Sequence, residues 1–169
     1  RELQAGDCEI ALAAGVPILL SPLPSVRYNA AGMLASDGRC KTWDTCANGY
    51  VRSEGVGSVF LVSENEEKLS LPGSAVRCDG KSASLTAPNG LAQQALLAAA
   101  LVDGGVVADE VGYLEAHGTG TPLGDPIEMG SLVAAVRKQR KETLALGGVK
   151  ANVGHAEPAA GMTGLLTLA

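Results

Sequence analysis

The chain holds only two histidines, and each falls in a glycine-flanked turn. One lies in EAHGTGTPLGDPIE, residues 115–128, and the other in GGVKANVGHAEPAAG, residues 147–161. Imidazole nitrogens donate and accept hydrogen bonds near neutral pH, so His117 and His155 are the first candidates for proton transfer, metal ligation or stabilisation of a developing negative charge. The first stretch admits three readings. A phosphate loop fits poorly, because a P-loop needs Lys and Ser/Thr after its second glycine, and Gly118, Gly120 and Gly124 are spaced G-x-G-x-x-x-G. Asp125 and Glu128 would also repel phosphate. A structural reading makes His117 a core residue in a turn that feeds a capped helix. A third reading places a catalytic imidazole at the carboxyl end of a strand, where open α/β folds build their sites. The second stretch favours it, since it repeats the order of strand, glycine-flanked turn, histidine and helix start. Two such turns can bring both imidazoles to one point, with Lys150 nearby. A metal site would need a third ligand, and none has convincing spacing.

Those turns need elements to carry them. EIALAAG (9–15) reads as a buried strand, and residues 21–49 have the Pro, Gly, Asn and Asp density of a long loop with a short helical turn. GYVRSEGVGSVFLVSE (49–64) is strand-like, and LSLPGSAVRCDG (69–80) holds a further strand weakened by Pro72. LAQQALLAAALVDGG (91–105) predicts a helix closed by two glycines. VGYLEAHG (111–118) and TLALGGVKANVG (143–154) are strand-and-turn segments. Between them, DPIEMGSLVAAVRKQRK (125–141) predicts a helix with Asp125 as N-cap, Pro126 at its first position and Glu128 completing the capping pattern. Its basic end would complement the helix dipole. Pro158 opens a last helix. Alternating strands and helices indicate an α/β layered fold with a largely buried sheet.

Composition narrows the class. A 169-residue chain that is 46% hydrophobic but only 3% aromatic forms a globular core of Ala, Leu and Val. Its net charge of −5 argues against a nucleic-acid partner. The longest apolar run, ALLAAALV, is too short to span a membrane. Cys8, Cys40, Cys46 and Cys78 form no C-x-x-C pair, so we read them as reduced thiols of a cytoplasmic protein.

The two histidine stretches together closely resemble the ketosynthase (beta-ketoacyl synthase) domain of type I polyketide synthases. GMLASDGRCKTWD, NGYVRSEGVGSVFLV and CDGKSASLTAPNG are similar to further segments of that family, in the family's order. The resemblance implies a thiolase-like layered α/β sandwich. Residues 1–64 would form the end of its N-terminal half and residues 65–169 part of its C-terminal half. It implies decarboxylative Claisen condensation of acyl and malonyl-type thioesters, carried on the phosphopantetheine arm of acyl carrier protein, with no cofactor bound directly. The intact enzyme would be a homodimer. By motif position His117 and His155 match the family's catalytic histidines and Lys150 its supporting lysine, while Thr119 and Thr121 match residues that bind the pantetheine.

The family's nucleophilic cysteine would fall about a dozen residues before Arg1, three helical turns upstream. Cys46 in DTCANG imitates its motif but aligns with a loop. Asn48, Ser53 and Pro17 stand where the family usually has Asp, Gly and Asn. Two other functions are compatible with these motifs: a non-catalytic carrier-binding domain, and a decarboxylase with glutamine in place of the cysteine. A piece of this extent is expected to fold poorly alone and to lack condensation activity.

Overall fold

The structure is a computed structural model, which describes residues 2–63, 69–82, 84, 87–136, 140 and 142–169. After a short helix α1 (Glu2–Ala5), strand β1 (Ile10–Gly15) pairs antiparallel with β2 (Gly57–Val62), in a register that sets Ile10 against Val62 and Leu12 against Phe60. Strand β3 (Tyr113–Glu115) pairs in parallel with β4 (Ala145–Gly147). Helix α6 (Ala160–Leu168) touches β1, β2 and β3, so it forms a middle layer between the two strand pairs. That is the layered α/β arrangement the sequence indicates, although β1, read from the sequence as a buried strand, is exposed along most of its length. Helices α3 (Gly90–Gly104) and α4 (Gly124–Ala135) pack on each other.

Helix α3 starts where Asn89 accepts the N–H groups of Leu91 and Ala92 at 3.0 and 3.2 Å, and it stops at Gly105, whose φ of 62° continues no right-handed helix.

Four expectations need correction. Residues 23–30 form a full two-turn helix, α2 (Leu23–Ala30), rather than a single helical turn, because Pro24 falls within its first turn, where no N–H is required. Residues 50–56 run ahead of β2 without a regular ladder and make only isolated bridges, Leu34 to Tyr50 and Arg52 to His155. No strand forms over 69–80. That segment lies against the end of α3, with the Ser74 N–H on the Asp103 carboxylate at 2.8 Å and Gly73 stacked on Gly104, and Pro72 has no N–H to give a ladder. Finally, α4 ends at Ala135. Most of the basic run beyond it, 137–139 and 141, lies outside the described residues. Arg140 does not serve the dipole of α4. It donates to the carbonyls of Ala108, in a 3-10 turn (Ala108–Glu110), and of Val111 just after that turn.

Strand β2 is apolar on both faces. Val59 and Leu61 are half-buried, while Phe60 and Val62 face outward with their partners Leu12 and Ile10. Phe60 is 63% exposed and Leu12 69% exposed. Apolar residues on both faces mark a strand built to be covered twice. We therefore expect the isolated 169-residue chain to self-associate, and Leu12→Lys with Phe60→Lys to suppress this. Light scattering on the purified chain tests it, and a monodisperse monomer with a cooperative thermal transition would refute it.

Candidate active site

The site forms where the parallel strands end. From β3 the chain enters the His117 turn, with the ladder extended by one bond from the Ala116 N–H to the Gly147 carbonyl at 3.2 Å. From β4 it passes through Gly148 into a one-turn helix, α5 (Lys150–Val153), and reaches His155 only afterwards. The two histidines are thus not equivalent: a helical turn separates His155 from its strand. Glu115 starts that turn by accepting the Val149 N–H at 2.7 Å, and the Tyr113 hydroxyl donates to its other oxygen at 2.9 Å.

Two carboxylates hold the His117 turn, although the sequence pattern assigns them to helix capping. Helix α4 starts two residues earlier than expected, at Gly124 rather than Pro126, and Asp125 does not cap it. Buried Asp125 instead accepts the N–H groups of Gly120 at 3.0 Å, Thr121 at 3.3 Å and Trp43 at 3.0 Å. Glu128 accepts those of His117 at 2.6 Å and Gly118 at 2.8 Å. The other side of the turn rests on residues 40–43. A side chain at Gly118 or Gly120, both at positive φ, would collide with Thr42 or with the Lys41 backbone. The Thr42 hydroxyl donates to the Gly118 carbonyl at 2.6 Å. Alternating glycine is therefore required by close backbone approach. Thr119 is buried, its hydroxyl 3.3 Å from that of Thr121, which in turn accepts the Gly124 N–H at 3.1 Å.

His155 is fastened differently. Its N–H donates to the Val51 carbonyl at 2.8 Å, and its carbonyl accepts the Ser53 N–H at 3.0 Å, so residues 51–53 run beside it through a single parallel bridge. Tyr50, itself buried, sets its ring edge-on to the imidazole, with the centroids 5.1 Å apart. The Glu157 N–H reaches Nδ1 of His155 at 3.1 Å. A nitrogen that accepts carries no proton, so neutral His155 bears its hydrogen on Nε2.

The structure brings His117 and His155 together, their ring centroids 5.4 Å apart and their planes at 85°. Lys150 is buried close enough for its charge to act on both. Burial is the main influence on all three groups. It lowers the pKa of His155 to about 4, helped by the neighbouring His117 and Lys150 and opposed by Glu157. It lowers that of His117, with Lys150 adding to the effect and Glu128 and Asp125 opposing it. His117 is exposed where His155 is half-buried, yet enough protein surrounds its ring for desolvation to be the main influence on it. Burial lowers Lys150 as well, against the pull of Glu128 and Glu115. At neutral pH the arrangement is a pair of uncharged imidazoles beside a buried amine, able to direct N–H donors at a forming oxyanion. The sequence reading misses these roles of Glu128 and Asp125, and with them Tyr50, Arg52 and Glu157. The place of Glu128, just inside the helix that follows the His117 turn, is the only signal for any of them.

Comparison with known proteins gives the class. The beta-ketoacyl synthase N-terminal domain model matches residues 1–67 and the C-terminal domain model residues 70–169. The chain belongs to the beta-ketoacyl synthase family. It is 47% identical, over 98% of its length, to one of the phenolphthiocerol/phthiocerol polyketide synthase proteins of Mycobacterium tuberculosis, and 43% identical over 98% to erythronolide synthase EryA2 of Saccharopolyspora erythraea. It spans 8% and 5% of those proteins. Among solved structures it is similar to an oxazolomycin ketosynthase domain of Streptomyces albus, with a TM-score of 0.92 and 36% identity. It is also similar to the ketosynthase from module 6 of the bacillaene synthase of Bacillus subtilis, with a TM-score of 0.91 and 33% identity. In each case 99% of this chain and 32% of the solved chain align. The thiolase-like fold and the polyketide-ketosynthase resemblance read from the motifs both hold.

Two outcomes follow for the site. Folding depresses the pKa of His155 below the 6.5 of a free imidazole, so its neutral form favours the fold above pH 6.5. That contribution should fade as the pH falls from 6.5 through about 4, with the His155 ring proton shifts in NMR showing their midpoint near 4. Glu128→Ala would leave the N–H groups of His117 and Gly118 without acceptors and should cost about 1–3 kcal/mol in chemical denaturation. An unchanged midpoint would show that water replaces the carboxylate without loss.

Proposed function

We propose that this chain supplies the decarboxylation half of a polyketide ketosynthase site, which performs decarboxylative Claisen condensation of carrier-bound thioesters. One observation carries the reading: two imidazoles, held neutral by burial, stand 5.4 Å apart beside a buried lysine. In the malonyl-type thioester the bond to the carboxylate breaks and carbon dioxide leaves, its electron pair forming an enolate. The enolate carbon attacks the acyl thioester, a carbon–carbon bond forms, and the thiolate of the acylated nucleophile departs. The thioester oxygen becomes negative in the first step, and Nε2–H of His155 and an N–H of His117 are the donors for it. Lys150 supports both electrostatically. It disfavours imidazolium, which keeps the rings as neutral donors.

Thr119 and Thr121 are proposed to hydrogen-bond the phosphopantetheine arm of acyl carrier protein, the macromolecular partner in this reading. Their hydroxyls lie 3.3 Å apart on the same glycine turn, so both can face one polar group of the arm. The acylated nucleophile is a cysteine outside this chain, the working enzyme is a homodimer, and its compartment is the cytoplasm. Among the described residues no helix is long and apolar enough to cross a membrane.

Carbon dioxide release from malonyl-carrier thioester by the intact synthase tests the assignment. His117→Ala and His155→Ala should each slow it by about 10²–10³-fold, the usual cost of one oxyanion donor. Release at the parent rate in both variants would remove the histidines from the chemistry.

A further inference from the structure

Glu157 has a backbone that side chains rarely tolerate. Its φ is +37°, and among the described residues only Trp43 shares a positive φ without being glycine. Residues in this region persist where their surroundings over-determine them. At Glu157 the strained backbone has a consequence two residues back, since the N–H that it aims is the one on Nδ1 of His155.

The side chain of Glu157 explains how the conformation is held. Arg52 grips it with a two-pronged fork, Nε to Oε1 at 2.6 Å and Nη2 to Oε2 at 2.8 Å. Such paired, charge-assisted bonds fix direction as well as distance. The guanidinium is held on its remaining sides: Nη1 donates to the Ser25 hydroxyl at 2.9 Å, and its carbon lies 5.2 Å from the centre of the Tyr28 ring, both on α2. The Arg52 side chain is only 10% exposed and that of Glu157 23%, so this is no solvated surface pair. The backbone of Arg52 is also the bridge partner of His155. Arg52 therefore closes a ring of contacts, bonded through its main chain to His155 and through its side chain to the residue whose N–H reads His155.

We infer that the Arg52–Glu157 pair is a positioning device for His155. By clamping Glu157 in its left-handed conformation, it keeps an N–H on Nδ1 and so fixes the imidazole as the tautomer protonated at Nε2. The inference rests on the ketosynthase reading for its catalytic meaning, because that reaction forms the oxyanion that an Nε2–H donor would stabilise. Neither residue reaches the reacting atoms. They act through the ring they orient, and through Ser25 and Tyr28 they tie that ring to α2.

The test uses the intact ketosynthase-bearing protein, with two measurements on Glu157→Gln and Arg52→Lys. The first is the tautomer of His155, read from imidazole nitrogen shifts in long-range proton–nitrogen NMR. The parent should show a single Nε2–H form, and Glu157→Gln should bring a substantial Nδ1–H population, with Arg52→Lys intermediate because one hydrogen bond can survive. The second is carbon dioxide release from malonyl-carrier thioester, where kcat should fall at least about tenfold with KM little changed, as expected when a donor is presented in the wrong tautomer. A ring that stays wholly in the Nε2–H form in both variants would overturn the inference, even if melting temperature falls. A rate loss with an unaltered tautomer would overturn it equally. If the parent releases no carbon dioxide, the ketosynthase reading fails, while the NMR measurement still decides whether Arg52 and Glu157 set the tautomer. Should Glu157→Gln not fold, the conservative Arg52→Lys variant carries both readouts.

Discussion

Asp125 and Glu128 bear the constraint on which the His117 side depends: a turn at the end of a parallel pair cannot keep its own N–H groups unpaired. Beyond β3 the chain leaves the ladder, and the amides of residues 117, 118, 120 and 121 need acceptors. Asp125 and Glu128, on the first turns of α4, provide them. The same helix that follows the turn thus holds it in place, and its carboxylates extend to Trp43 on the opposite wall. Carboxylates suit this position, since they accept several amides at once, and the charge of Glu128 also offsets that of buried Lys150.

That charge balance decides what the imidazoles can do. A carboxylate aimed at a ring nitrogen would favour imidazolium and turn each histidine into a general acid. Here the carboxylates are occupied by backbone amides, and desolvation with Lys150 nearby is the stronger influence, so both rings are pushed toward the neutral form. An oxyanion that forms and is consumed within one catalytic cycle needs donors that do not surrender a proton to it, which is what a desolvated neutral imidazole offers.

Much of this was legible in the sequence, and the limits have physical causes. The helix over α3 could be read because its signals are local: a run of small apolar residues closed by two glycines. The two histidine turns could be located because glycine, threonine and proline punctuate them. The convergence of His117, His155 and Lys150 could be argued from strand order alone. What could not be read was any partner supplied from far along the chain. Asp125 has the sequence signature of an N-cap, and only the turn folded against it shows that its oxygens go to Gly120, Thr121 and Trp43. Residues 69–80 carry strand composition, yet among the described residues no strand pairs with them, and Pro72 could not have donated to one. Arg140 sits in a basic run that suggests a helix end, whereas it is used to satisfy carbonyls in and just after a 3-10 turn far back along the chain.

The two histidines are also held by different parts of the molecule, and this bears on how their separation is set. His117 depends on its own helix and on residues 40–43. His155 depends on residues 51–53, which lead directly into β2, and on a 3-10 turn (Glu157–Ala159) whose Pro158 and Ala159 lie against Gly15 at the end of β1. A side chain at Gly15 would strike that turn, so the close approach of β1 is part of the placement of His155. The first histidine thus belongs to the β3–β4 layer, whereas the second is tied to the β1–β2 layer. Helix α6, packed between the layers, sets the distance across which they meet. The 5.4 Å between the imidazoles is therefore a property of the sandwich rather than of either loop. A substitution at the α6 contact with β2, such as Gly57, where a side chain would push on Met162, should move one ring relative to the other without touching either.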